Sequence, residues 1–177
     1  QIPGPSPEDV AARSRREPMD ARARGAFARS HLFGITLLTL AYFFLTAYRD
    51  FRDNFAVEIF AELGYAYAGN ETVISRAESL VAFGVIALLA ALNGIRDNRR
   101  GLAAALVLMT AGTLLLAVST LLLEAGLISG FWWMTGVGLG SYLAYVPYGS
   151  VLFDRLIAAT GAAGTAVFAI YVADAVG

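Results

Sequence analysis

Four charged residues within five positions follow an almost wholly apolar run of this chain. They belong to the stretch Tyr48-Arg49-Asp50-Phe51-Arg52-Asp53-Asn54-Phe55. Guanidinium groups bind anions, and carboxylates exchange protons, so such a stretch inside a membrane can form part of a solute or ion path. At the outer end of a membrane helix the same stretch is a solvated and internally paired helix terminus. The sequence leaves both interpretations open.

Helical spacing arranges these charges and extends them into a polar face. At about 100° per residue, Arg49 can pair with Asp53, and Asp50 can bond with Asn54. Continued backwards, the face becomes one polar stripe: Tyr42, Thr46, Arg49 and Asp53. The run from Leu32 to Tyr48 covers only about 25 Å, and the hydrocarbon core is roughly 30 Å thick. To complete the crossing the helix would have to include Arg49 and could extend to Asp53, whereas a slightly short span with tilt or snorkelling side chains would leave Arg49 at the outer interface.

Ionisable groups in a membrane need partners, because each costs roughly 2.5 to 3.5 kcal/mol on insertion scales. Glu78 and Asp174 are the acids best able to reach the stripe from other helices. The predicted substrate or ion path therefore comprises Tyr42, Thr46, Arg49, Asp50, Arg52, Asp53, Asn54, Glu78 and Asp174. In this hypothesis Arg49 or Arg52 holds an anionic group, and Asp50 or Asp53 exchanges a proton.

The composition predicts the elements that must position these residues. Of 177 residues, 58% are hydrophobic and 15% charged, which is too little polar surface for a soluble domain. Apolar runs of membrane length predict an all-α, polytopic helix bundle. We expect spans at about 32–55, 78–95, 102–123, 131–150 and 157–176.

Local signals refine these spans. Ser75 and Glu78 fit a capping box that would open the second span. The short basic connection 94–101 makes the second and third spans antiparallel neighbours. In the fourth span, glycines at GxxxG spacing predict close helix packing, and a proline predicts a kink. These residues are Gly136, Gly138, Gly140 and Pro147.

The arginines predict an orientation. With segment 1–30 inside, ten arginines flank the inner side and three the outer side, which favours a cytoplasmic linker at 1–30 and a multi-pass protein of the cell (inner) membrane. The chain begins with Gln1 and stops within an apolar segment. We therefore expect a fragment whose partners include the lipid bilayer and an N-terminal half of the same protein.

Several function classes are disfavoured by the sequence. The net charge of −1 gives no reason to expect nucleic acid as a partner. There is no cysteine and one histidine, so neither a thiolate metal site nor a zinc site is expected. No nucleophile stands beside a base. We expect neither an enzyme nor a bound cofactor.

The order of these segments resembles the second half of a major facilitator superfamily protein. The basic turn, with Gly94, Asp97, Arg99 and Arg100, is loosely similar to the loop signature of that superfamily. A closer resemblance is to an uncharacterised bacterial family grouped with it, through the motif at 48–55 and a second motif in two parts, at 142–147 and 152–158. The resemblance implies a facilitator-type secondary transporter of a small polar or anionic solute, with proton coupling as one option.

A second hypothesis comes from a different functional class. The outer segment 55–74, with its acids and with Tyr65 and Tyr67, could be a docking surface. The protein would then be a transporter-like membrane sensor or scaffold that moves no solute.

Overall fold

The computed structural model describes residues 20–30 and 32–160, and this part of the chain is all-helical without a strand. Its elements are α1 (Ala21–Ser30), α2 (Leu32–Asn54), α3 (Ala56–Glu62), α4 (Glu71–Asn93), α5 (Asn98–Glu124), α6 (Gly130–Pro147), a π-helical turn (Tyr148–Leu152) and α7 (Phe153–Thr160). The predicted all-α class is confirmed.

Within the described residues, three helices are long and apolar enough to cross a membrane, namely α2, α4 and α5. Their lengths of 23, 23 and 27 residues correspond to about 35 to 40 Å, which exceeds the hydrocarbon core of roughly 30 Å. Large apolar side chains such as Phe33, Phe44 and Phe83 lie exposed on them. Exposed apolar surface of this kind suits contact with lipid, so these helices indicate a membrane protein.

The shorter helix α6 forms the centre of the bundle. Ten of its 18 residues are buried, whereas α4 and α5 bury four residues each and α2 buries two. It packs against α2, α4 and α5. The sequence predicts a fourth span here at 131–150, but α6 is not among the three helices of membrane length and apolarity. Its glycines and tyrosines serve contacts between helices.

The glycines of α6 face two directions. Gly136 and Gly140 face α5, where a methyl group on Gly140 would lie 2.6 Å from the carbonyl oxygen of Gly112. The close packing predicted from the GxxxG spacing is therefore confirmed. Gly138 lies on the opposite side, against Arg52 and Val81, because two residues along a helix turn the side chain by about 200°.

The second predicted span begins earlier than the sequence indicates. Helix α4 starts at Glu71, so Ser75 lies within it and the predicted capping box is wrong. Its first turn instead follows Asn70, whose carbonyl accepts the amides of Val73 and Ile74. The carboxylate of Glu78 points to another helix, as described below.

The end of α6 departs from regular helix at the predicted kink. Pro147 has no amide proton, and the backbone passes into a π turn directly after it. Helix α7 then begins at Phe153, before the predicted start of the fifth span. Most of that span, with Asp174, lies outside the described residues.

Candidate functional site

Arg52 is a buried cation between three helices. Its residue is 2% exposed, and its Nη2 donates to Glu78 Oε1 on α4 at 2.7 Å and to the Met134 carbonyl on α6 at 3.2 Å. Its Nη1 donates to Asp53 Oδ1 at 2.9 Å. A guanidinium held by two carboxylates and a carbonyl is a strong, directional arrangement. Arg52 therefore joins α2, α4 and α6 at one point.

Space for this guanidinium comes from a glycine. A methyl group on Gly138 would lie 2.5 Å from Arg52 Nη2 and 2.9 Å from a methyl of Val81. Both distances are shorter than atoms can approach without displacement. Gly138 is therefore required for Arg52 to reach its partners.

The depth of Arg52 follows from the positions of its partners along their helices. Glu78 lies seven residues after the start of α4, and Met134 lies four residues after the start of α6. At 1.5 Å per residue these partners are about 6 to 10 Å below the ends of their helices. Arg52 is therefore packed between the helices, whereas Asp50, Asp53 and Asn54 of the same stretch are exposed.

The carboxylates of this network lie nearer its surface than the cation does. The side chain of Arg52 is 3% exposed, compared with 35% for Asp53 and 41% for Glu78. Asp53 Oδ2 also accepts the hydroxyl proton of Tyr142 at 2.6 Å. The two carboxylates are therefore more accessible from outside the bundle than the Arg52 guanidinium is.

Arg49 occupies a neighbouring aromatic site. Its guanidinium carbon lies 4.1 Å from the centre of the Tyr145 ring, a cation–π contact, and its Nε donates to Asp50 Oδ1 at 3.1 Å. The ring of Tyr42 stacks between those of Tyr145 and Tyr148, with centroid distances of 5.5 and 4.7 Å. The hydroxyls of Tyr42 and Tyr145 are 3.2 Å apart.

The structure changes the predicted pairing within the stretch. The Arg49–Asp53 pair is wrong, because Asp53 accepts from Arg52 while Arg49 turns to Asp50 and the Tyr145 ring. The buried contacts of Arg52 with α4 and α6 explain why Asp53 pairs with Arg52. They hold the Arg52 guanidinium in place beside the Asp53 carboxylate. The predicted Asp50–Asn54 bond is also absent from the described contacts, and Asn54 lies exposed at the end of α2.

Some of the remaining predicted residues contact the site and others do not. Tyr42, Arg49 and Asp53 of the stripe all contact tyrosines of the α6 segment. The buried hydroxyl of Thr46 has no hydrogen-bond partner among the described residues. Glu78 reaches the stretch from α4, whereas Asp174 lies outside the described residues.

Three tyrosines that were not predicted as site residues form one wall of this site. Tyr142, Tyr145 and Tyr148 recur every three residues, which places them near one face of a helix. That spacing was a readable signal, and it matches the polar face of α2. The sequence contains no signal for the contact of Arg52 with the Met134 carbonyl or for the space that Gly138 leaves for Arg52. Both depend on how helices from distant parts of the chain cross.

The site brings together guanidinium groups, carboxylates and phenols, but the described residues offer no metal centre. No group of three histidine or acidic side chains in the described chain could hold a metal ion. Arg52 has two carboxylate partners and is neutralised. Arg49 has one carboxylate, which is 51% exposed, and an aromatic face. Arg49 is thus the cation that an anionic group could reach by displacing Asp50.

The comparisons with known proteins place the chain in one family. Residues 1–177 match a family described as a family of unknown function, DUF5690. The chain belongs to this family. Neither the curated proteins nor the solved structures contain a match. The family match does not connect the chain with the major facilitator superfamily, so that relationship stays a prediction.

Proposed function

We propose that this chain is part of a facilitator-type secondary transporter that moves a small polar or anionic solute, coupled to protons. The supporting observation is that the polar face of α2 packs against the tyrosines of α6 within the bundle. Charged groups within a membrane protein are costly to maintain and commonly mark solute and proton paths. The proposal places the protein in the cell inner membrane with segment 1–30 in the cytoplasm.

The proposal assigns different roles to the two arginines. Arg49 binds the anionic or polar group of the solute over the Tyr145 ring, after Asp50 has been displaced. Arg52 is a fixed cation that holds α2 against α4 and α6. Asp53 and Glu78 exchange the proton, because they are the partly exposed members of the Arg52 network.

Proton exchange would loosen the bundle at this point. Protonation of Glu78 removes a full charge from the partner that α4 offers to Arg52, and this weakens the link between α2 and α4. A proton-dependent link between helices is the element that alternating access requires. The coupling therefore resides in the same residues that join the helices.

The test measures solute-driven currents from the full-length protein in proteoliposomes on a solid-supported membrane. The probes are a panel of small carboxylates, inorganic phosphate, amino acids and sugars, each tested with and without a proton gradient. We expect at least one probe to give a current that Arg49→Gln reduces at least ten-fold and that Asp53→Asn uncouples from the proton gradient.

Matched controls lie elsewhere on the chain. Arg76→Gln and Asp154→Asn remove exposed charges of the same kinds, and we expect both variants to keep the wild-type current. If no probe gives a current, or if Arg49→Gln and Asp53→Asn both behave as wild type, the proposal fails.

The second candidate function is a sensor or scaffold that uses segment 55–74. Phe60 is fully buried against Met134 and Ala77, which anchors α3 to the bundle and leaves Glu58 and Glu62 exposed. This function would be favoured by a protein that cross-links to a photoreactive residue at position 67, if Glu58→Gln with Glu62→Gln abolished the cross-link and no solute gave a current.

A further inference from the structure

Arg155 on α7 lies across the turn that joins α4 to α5. Its Nη2 donates to the Ile95 carbonyl at 2.8 Å, and its Nη1 donates to Asn98 Oδ1 at 3.1 Å and to the Arg96 carbonyl at 3.4 Å. A methyl group on Gly101 would lie 2.9 Å from its guanidinium carbon. All these acceptors are neutral. The charge of Arg155 is therefore stabilised by dipoles but is not cancelled.

The same turn displays three more arginines. Arg96, Arg99 and Arg100 are exposed, and none forms an ion pair with a described residue. The nearby acids are Asp97, which accepts the backbone amide of Arg100 at 2.8 Å, and Asp154 on α7. Including Arg155, the region of the turn contains four guanidinium groups and two carboxylates. The turn carries a net charge of +2 and a shape fixed by the bonds of Arg155.

Apolar surface adjoins this basic turn on both helices. Leu88 on α4 and Leu106 and Val107 on α5 are exposed, and each lies within three turns of the connection. Both helices have membrane length. A ligand that fills this region must therefore combine an anionic head with long apolar chains.

We infer that the α4–α5 turn binds the phosphodiester headgroup of an anionic phospholipid, with Arg96, Arg99 and Arg100 as its contacts. Guanidinium groups bind phosphate oxygens through paired hydrogen bonds. Basic pockets between membrane helices bind anionic headgroups in this way. The acyl chains lie along the exposed apolar residues of α4 and α5, which a soluble phosphate could not use.

The experiment titrates the full chain, purified in a neutral detergent, with phosphatidylglycerol or phosphatidylcholine and follows lipid adducts by native mass spectrometry. We expect tighter binding of phosphatidylglycerol. The double variant Arg99→Gln with Arg100→Gln should weaken it about 25-fold, from about five-fold per arginine near a charged membrane surface. Both side chains are exposed, so the fold should tolerate the change.

The matched control is the double variant Arg22→Gln with Arg24→Gln. These arginines are also exposed, lie on the same predicted side of the membrane and remove the same charge. We expect it to bind phosphatidylglycerol within two-fold of wild type. Equal weakening in both variants would show a general charge effect and overturn the site. The site would also be overturned if inorganic phosphate raised the thermal unfolding temperature as much as phosphatidylglycerol does. That result would identify a soluble anion as the ligand.

Discussion

Two arginines, Arg52 of α2 and Arg155 of α7, lie near opposite ends of α4, and each packs against a glycine. Their hydrogen-bond partners differ in charge. Arg52, over Gly138, pairs with two carboxylates near the start of the helix. Arg155, over Gly101, bonds to carbonyl and amide oxygens just beyond its end. A buried guanidinium needs a counter-charge because no water reaches it. A half-exposed one can share its charge with water or lipid headgroups, so dipoles are sufficient.

The two arginines also join different elements of the bundle. Arg52 links α2 and α4 through carboxylate side chains and α6 through the Met134 carbonyl. Arg155 links α7 to a short turn through acceptors that do not titrate. The two ends of the bundle are thus expected to respond differently to substitution, and the following predictions are ordered by the size of that response.

The largest effect is expected from Glu78→Ala. The change leaves the buried guanidinium of Arg52 with one carboxylate. Loss of a partner from a buried charge costs about 3 kcal/mol, at the low end of the usual range because Glu78 itself is partly exposed. The free energy of unfolding in detergent, measured by chemical denaturation, should fall by that amount. Glu71→Ala on the same helix is the control. It removes an exposed acid of the first turn that, among the described residues, accepts only the Gly69 amide, and a loss of less than about 1 kcal/mol is expected.

Gly138→Ala should cost about 2 kcal/mol, because the added methyl group forces Arg52 away from its partners or displaces Val81. Gly101→Ala makes the matched comparison at the other end of α4. There the half-exposed Arg155 can move aside, and we expect less than about 1 kcal/mol. Equal losses in the two variants, measured under the same conditions, would contradict the distinction between a fixed and a movable arginine.

Arg155→Gln should lower the free energy of unfolding by about 1 kcal/mol, since hydrogen bonds from a charged group to partly exposed carbonyls are lost. Faster hydrogen exchange at residues 94–98 would locate the change at the turn. Arg155→Lys should recover only part of the loss, because an ammonium group cannot span the same acceptors. Full recovery by lysine would show that charge alone matters here.

The smallest effect is expected from Tyr142→Phe, which removes one hydrogen bond to Asp53 and leaves the ring in place. We expect a loss of about 1 kcal/mol or less, because Asp53 keeps its pair with Arg52. A double-mutant cycle with Asp53→Asn would measure the coupling between the two residues. Zero coupling energy would remove Tyr142 from the network.

The sequence was informative where a property belongs to one helix. Apolar runs predicted helices of membrane length, and the first run was short enough to draw Arg49 into the helix. The spacing of Gly136 and Gly140 predicted a close helix contact. Each of these depends on periodicity or length, which are read along the chain.

Pairing choices could not be obtained in that way. Arg49 and Asp53 have ideal spacing for an ion pair, yet they belong to different networks in the structure. The contacts that decide this come from Glu78 and Met134, which lie far away along the chain. Local spacing gives an ion pair a few tenths of a kcal/mol, whereas leaving a buried guanidinium without its partners costs several times more.

The sequence by itself determined that this protein is helical, that its helices suit a membrane and that a charged stretch ends the first of them. Only the tertiary structure decided that Arg52 is the buried cation of that stretch and that Arg49 lies on an aromatic face. The physical reason is that a charge removed from water inside a helix bundle needs polar or oppositely charged partners, and the positions of those partners decide where the charge lies. Those partners become neighbours only when the helices pack.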